Sequence, residues 1–175
     1  MAEEKRNLET IPAGSLGIIS LAGCKTLGEQ VDHYLVKWRQ ERESEHKNSL
    51  AFSGYQRDSY ILQSKVPRFG TGEGKGVILE SVRGMDLYLL VDVVNYSLTY
   101  SLCGHENHMS PDDHFQDLKR IISAVGGKAR RINVIMPFLY ESRQHKRTKR
   151  ESLDSALALQ ELIDMGVSNI FTFDA

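Results

Sequence analysis

The sequence predicts an α/β domain built on a parallel sheet flanked by helices, with a β-hairpin element in its middle. Three observations carry that expectation. Short apolar runs of strand length recur along the 175 residues and alternate with segments of helical periodicity. Glycines at 70, 72, 74, 76 and 84 punctuate the middle of the chain, where strand-like runs follow one another without a helix between them. The final third reads strand, helix, strand, the order of a right-handed parallel crossover.

Taken in order, residues 16–22 (LGIISLA) form an apolar run ending at Gly23, which reads as a buried strand and a turn. Thr26 and Glu29 have capping-box spacing, and Leu27, Val31, Leu35 and Trp38 recur every three or four residues, predicting a helix with these four on its apolar face. Residues 39–57 are polar and charge-dense, broken only by Leu50, Ala51 and Phe52, and read as a solvated helix end followed by a surface excursion. Strands are expected at 60–63, 77–80 and 87–94. Residues 95–109 (NYSLTYSLCGHENHM) have no clear period and exceed a usual connection, so they form either a lid-like loop or an insertion. Ser110, Pro111 and the acidic pair Asp112 and Asp113 start a helix whose buried stripe is Phe115, Leu118, Ile122 and Val125, ending at Gly126. A strand at 131–138 follows. Ser152 is expected to cap a helix with Leu153, Ala156, Leu157, Ala158, Leu162 and Ile163 as its stripe, Gly166 to end it, and residues 169–173 to form the last strand.

Composition narrows the function. With 22 Lys and Arg against 23 Asp and Glu, the formal charge of -1 gives no global field favouring nucleic acid or an anionic membrane, so any anion binding is local. No apolar run approaches the roughly 20 residues needed to cross a bilayer. Cys24 and Cys103 lie far apart, and the polar start at residues 1–9 lacks the apolar core of a secretion signal. These features lead to the expectation of one soluble domain over 1–175, in the cytoplasm with reduced thiols.

Four constellations carry chemistry. Residues 141–152 (ESRQHKRTKRES) follow a strand and hold Arg143, Lys146, Arg147, Lys149 and Arg150 against two carboxylates. Loops at the carboxyl ends of parallel strands line the ligand crevice, and this one leads into a helix amino terminus, so phosphate is its natural guest; the competing reading is a solvated basic loop. Residues 68–73 (RFGTGE) place Phe69 and Glu73 four apart on a glycine-rich turn, where the ring can stack on a base and the carboxylate accept from an exocyclic amine; the alternative is a hairpin turn with Phe69 tucked into the core. In residues 80–84 (ESVRG), Ser81 and Arg83 sit two apart, on one face of a strand exit, and together suit a phosphate or sulfate, unless Arg83 pairs with Glu80 or Asp86. Cys103, His105, His108 and His114, with Asp112 and Asp113, are zinc-binding types, yet their spacing matches no paired zinc template and the two aspartates already suit a helix start.

Together RFGTGE, ESVRG and YESRQHKRTKR, ending in NIFTFDA, resemble the amino-terminal, phosphoribosyltransferase-like half of the ribose-phosphate pyrophosphokinases, in order and in spacing. The resemblance covers most of the chain except 37–59 and 95–109. It implies an enzyme that transfers pyrophosphate from ATP to ribose 5-phosphate, giving PRPP and AMP, with magnesium as the metal. It implies that Phe69, Thr71 and Glu73 form an adenine site, shared with a neighbouring subunit, although Thr71 stands where the family has aspartate or asparagine. It also implies that Arg143 and Gln144 contact ATP phosphates, with His145 in place of an aspartate. Ser81, Arg83, Lys146, Arg147, Lys149 and Arg150 resemble a regulatory phosphate or ADP site between subunits, with the basic loop close to Ser81 and Arg83. A homo-oligomer, a hexamer built from dimers, is the implied assembly.

In the family pattern a metal-binding histidine and a second domain with the ribose 5-phosphate loop come after the position of Ala175, so no metal ligand is expected in this chain and catalysis by these residues alone is not expected. The end at 170–173 is expected to leave an apolar sheet edge that promotes dimerisation or poor solubility. The alternative function is a non-catalytic regulatory relative, which would tolerate Thr71 and His145. A nucleic-acid module fits poorly with the near-neutral charge and the missing aromatic platform.

Overall fold

The computed structural model describes residues 12–44 and 56–174. Strand β1 (Leu16–Ser20) passes through a 3₁₀ turn, Ala22–Cys24, straight into helix α1 (Lys25–Ser44). The helix is already under way at Thr26, so the capping box expected of Thr26 and Glu29 does not form: the 3₁₀ turn leaves no free helix start there. The apolar face also differs from the expected one. Leu27, Val31 and Leu35 pack against the sheet, but Trp38 is 56% exposed and lies 6.1 Å from the equally exposed Tyr34 ring. Two contacts rotate the helix. Gly28 lies so close to β1 that a Cβ there would sit 1.8 Å from the Ser20 hydroxyl. One turn on, Asp32 accepts from the Tyr60 N–H at 2.6 Å and the Ser59 hydroxyl at 2.8 Å. The face through Gly28 and Asp32 therefore sits inward, roughly a quarter turn from the expected stripe. Leu50, Ala51 and Phe52 lie outside the described residues.

The expected strand at 60–63 is reduced to a single parallel bridge between Ile61 and Ile18, held by Ile18 N–H to Tyr60 O at 2.8 Å and Leu62 N–H to Ile18 O at 2.7 Å. Strands β2 (Ser64–Lys65) and β3 (Val77–Ile78) then pair antiparallel as a small hairpin. Strand β4 (Asp86–Leu90) returns to the main sheet. The stretch left unassigned by its sequence folds into a second hairpin, β5 (Thr99–Leu102) and β6 (His105–His108), turned by Cys103 and Gly104, both at positive φ.

Helix α2 (Pro111–Val125) starts as expected. The Ser110 hydroxyl accepts from the Asp113 N–H at 3.2 Å, Asp113 accepts from the Ser110 N–H at 2.9 Å, and Gly126 ends the helix in the left-handed region. Strand β7 (Arg131–Ile135), helix α3 (Asp154–Asp164) and strand β8 (Asn169–Phe171) complete the chain. Ser152 does not cap α3: its hydroxyl donates to Asp154 at 2.6 Å, and Leu153 occupies the cap position with no side-chain bond. The buried face of α3 is Ser155, Ala158 and Leu162, while Ala156, Leu157 and Ile163 face solvent, because the small Ser155 and Ala158 bring the helix close on that side.

The four strands lie in the order β1-β4-β7-β8, all parallel, with Asp86 opposite both Leu16 and Arg131. Alternation along them builds two layers. Ile18, Tyr88, Leu90 and Ile135 meet α1 on one face; Ile19, Leu87, Leu89, Ile132 and Val134 meet α2 and α3 on the other. A polar chain crosses the α1 face near the amino ends of the strands. Arg131 forks onto Asp86, Asn133 donates to Asp86 at 2.8 Å, and Asn169 donates to Asn133 at 2.7 Å, with Asn133 wholly buried. At the far side β8 is the last strand of the sheet, and Phe171 and Phe173 are exposed. Among the described residues no helix is long and apolar enough to cross a membrane.

Candidate functional site

The turn at residues 68–74 projects from the β2-β3 hairpin and is closed by a bridge between Arg68 and Gly74. Inside it, the Phe69 N–H donates to Glu73 O at 2.7 Å and the Gly72 N–H to Phe69 O at 2.9 Å. Gly72 sits at φ 86, which a Cβ would strain. The Phe69 ring is 56% exposed, so it is offered to solvent and is not tucked into the core. Thr71 donates its hydroxyl to Glu73 at 2.9 Å. An aspartate in place of Thr71 would set two carboxylates side by side, whereas threonine holds Glu73 by a hydrogen bond.

Residues that sequence reasoning passed over anchor this turn. Arg68 donates to Asp117 of α2 at 3.0 Å, and Arg120 donates to the other oxygen of Asp117 at 2.6 Å. Burial pushes the Asp117 carboxyl above its ordinary range, opposed by the Arg120 hydrogen bond and by the charges of Arg68 and Arg120. The Arg68 guanidinium also lies 4.8 Å above the Tyr100 ring of β5. The one sequence signal for this anchor is an acidic residue between Phe115 and Leu118, on the inward side of an amphipathic helix.

The basic loop leaves the carboxyl end of β7. Tyr140 stacks on Phe115 with ring centroids 4.2 Å apart and donates its hydroxyl to Asp112 at 2.7 Å. Burial, then the Asp112 bond and charge, push that hydroxyl well above its ordinary value. After Glu141 in the left-handed region, a 3₁₀ turn, Ser142–Gln144, brings Arg143 out to solvent. Gln144 folds back instead, donating to Ser152 O at 2.8 Å, which ties the two ends of the loop together. His145 bonds Ser142 O through Nδ1 at 2.8 Å. Lys146, Arg147, Lys149 and Arg150 are all exposed. A cleft of about 340 Å³ beside Tyr140 is lined by Asp112, Glu141, Asp154 and Glu161 with Lys119, a set of charges unsuited to an anion.

Ser81 and Arg83 follow the exit of β3, a few residues past its end at Ile78. They belong to a turn that precedes β4, in which the Arg83 N–H approaches the Ser81 hydroxyl at 3.5 Å and Gly84 donates to Lys128 O at 2.9 Å. Neither expected carboxylate takes Arg83: Glu80 accepts from the Gln63 N–H at 2.8 Å, and Asp86 is bound by Arg131 and Asn133. Within a single copy this pair lies apart from the basic loop. In a parallel sheet the turn before β4 and the loop after β7 lie at opposite ends, separated by the length of a five-residue strand, roughly 16 Å.

The zinc-type residues are dispersed among other tasks. His114 is buried with Nε2 2.7 Å from Asn95 O, His108 bonds Tyr96 O at 2.8 Å, Asp113 caps α2 and Asp112 serves Tyr140. Among the described residues no group of three His, Cys, Asp or Glu is placed to hold a metal ion.

Comparison with known proteins gives a consistent picture. A family model described as the N-terminal domain of ribose phosphate pyrophosphokinase matches residues 16–166. Ribose-phosphate pyrophosphokinase 1 of Schizosaccharomyces pombe is 32% identical over 111 residues, 62% of this chain and 24% of that protein. Ribose-phosphate pyrophosphokinase of Halalkalibacterium halodurans is 29% identical over 115 residues, 64% of this chain and 32% of that protein. The matched regions thus span about a quarter to a third of these curated relatives. The crystal structure of phosphoribosylpyrophosphate synthetase from Mycobacterium smegmatis superposes with a TM-score of 0.64 at 21% identity, over 90% of this chain and 42% of that one, a likeness of fold.

Proposed function

Because this chain belongs to the family of N-terminal domains of ribose phosphate pyrophosphokinase, we propose that it is the ATP-binding and subunit-contact half of an enzyme that transfers pyrophosphate from ATP to ribose 5-phosphate. The observation that carries the reading is the Phe69 turn, an exposed aromatic ring and a carboxylate held together on a hydrogen-bonded loop. Phe69 would stack on adenine and Glu73 accept from its exocyclic amine, with Thr71 fixing the carboxylate. Arg143, exposed at the start of the basic loop, would clamp the nucleotide phosphates, and Gln144 would set the loop's shape through its bond to Ser152 as well as reach the phosphates. Magnesium would arrive with the nucleotide, and Arg143 would add positioning and charge beside it.

Ser81, Arg83, Lys146, Arg147, Lys149 and Arg150 would bind a regulatory phosphate or ADP. Since the first two and the last four occupy opposite ends of the sheet, one copy would supply the turn and another the basic loop, which fits a homo-oligomer. A second reading is a non-catalytic regulatory relative, which would tolerate Thr71 and His145 at positions where the family has an acidic or amide side chain.

The test is AMP release from magnesium-ATP by the intact protein, with and without ribose 5-phosphate, alongside calorimetric ATP binding. Release that depends on ribose 5-phosphate is the expected result; binding without turnover supports the regulatory relative. Arg143→Ala should lower turnover by about a hundredfold or more while the far-ultraviolet circular dichroism stays unchanged. Undiminished turnover in that variant rules out the clamp.

A further inference from the structure

The β5-β6 hairpin touches the candidate base-binding turn at three points. The Cys103 N–H donates to Gly70 O at 2.9 Å, next to Phe69. Leu102 lies against Gly72 so closely that a Cβ on that glycine would stand 2.9 Å from its Cδ1. Tyr100 carries the Arg68 guanidinium over its ring at 4.8 Å. On the opposite side the turn meets α2, through Arg68 to Asp117 and through Arg120, whose guanidinium borders Gly74. A short hairpin of this kind has no core of its own, and two strands standing alone are marginal in water. What holds the Phe69 ring in place is therefore the pair of flanking supports.

We propose that the hairpin at residues 99–108 is a positioning element for the base-binding turn, with Tyr100 and Leu102 setting how Phe69 and Glu73 meet a purine. The inference rests on the reading of Phe69 and Glu73 as an adenine site. The hairpin is anchored independently of the turn at its base: His114 of α2 bonds Asn95 O at 2.7 Å, Asn95 donates to Gly23 O at 3.3 Å, and Met109 is buried. It can therefore lend order to the turn. Removing the Leu102 side chain opens a gap under Gly72 and frees a loop whose glycines have no preference of their own for the bound shape. The loss falls on the base and spares the phosphates, which are bound elsewhere.

The experiment compares the wild type, Leu102→Ala, Tyr100→Leu and Phe69→Ala in the intact protein, using calorimetric binding of ATP and of inorganic tripolyphosphate together with amide exchange without ligand. Leu102→Ala is expected to weaken ATP binding by about five- to tenfold, to leave tripolyphosphate binding within twofold, and to speed exchange at the Phe69 and Gly72 amides. Tyr100→Leu should do the same in smaller measure and guards against a variant that simply unfolds. Unchanged exchange at the turn in both hairpin variants overturns the proposal whatever Phe69 binds. Phe69→Ala tests the premise separately: if it leaves ATP binding unchanged, the adenine reading fails and the hairpin's role in purine binding fails with it. If Phe69→Ala weakens ATP while the hairpin variants do not, the adenine site stands and the positioning role is overturned.

Discussion

Cys24 and Cys103 differ in what surrounds the sulfur. Cys24 is buried under α1, and its burial, with the charge of Asp92 added, pushes the thiol up to about 12, whereas Cys103 is exposed at the tip of the β5-β6 hairpin. The thiolate is the reactive form, so iodoacetamide at pH 8 should label one cysteine in the native protein and two in denaturant, counted by mass spectrometry. The same shift links to stability. A thiol raised on folding contributes stability that is complete below its ordinary 9.0 and is lost as pH climbs through about 12, so urea unfolding should weaken across that interval and less so in Cys24→Ala. Two labelled thiols in the native state would contradict the burial. At this scale the sequence marked Phe69, Glu73 and Arg143 through short motifs. It concealed the pairing of Arg68 with Asp117, because that ion pair joins residues 49 positions apart and no local pattern links them.

Helix α2 was readable because every signal agreed: Ser110 and Asp113 bond each other reciprocally, Pro111 opens the first turn, and the stripe from Phe115 to Val125 is buried. Ser110→Ala should therefore cost about 1 kcal/mol in denaturant unfolding, while Thr26→Ala, whose residue caps nothing, should change stability by less than about 0.5 kcal/mol. Equal effects would place the helix starts differently. The face of helix α1 was read rightly at Leu27, Val31 and Leu35 and wrongly at Trp38, because Gly28 and Asp32, neither of them apolar, draw their side inward through Ser20, Ser59 and Tyr60. The β5-β6 hairpin escaped notice because His105, Glu106, Asn107 and His108 are poor strand formers with no alternation, and its turn uses Cys103-Gly104 where Asn-Gly is the usual signal. Helix α3 lost its expected cap to the Ser152 bond with Asp154, a competition between neighbouring polar groups that spacing alone does not resolve.

For the molecule as a whole, parallel strands were legible from the alternation of apolar runs and helical periods. The separation of Ser81 and Arg83 from the basic loop was not, since motif order along a chain says nothing of which end of a sheet each motif occupies. If the two halves of the proposed regulatory site come from different copies, millimolar inorganic phosphate should shift the intact protein toward larger species in sedimentation velocity, and Arg83→Ala should abolish the shift. An identical distribution with and without phosphate would separate the two clusters functionally. The polar chain from Asp86 through Arg131 and Asn133 to Asn169 has a consequence of another kind. A slip of one residue between β4 and β7 would turn the wholly buried Asn133 toward the aliphatic layer under α2 and α3 and strip Asp86 of its partner. Leucine and valine rows alone would accept many alignments at similar cost; this line of amides and charges accepts one, and so works as proofreading on the nascent sheet.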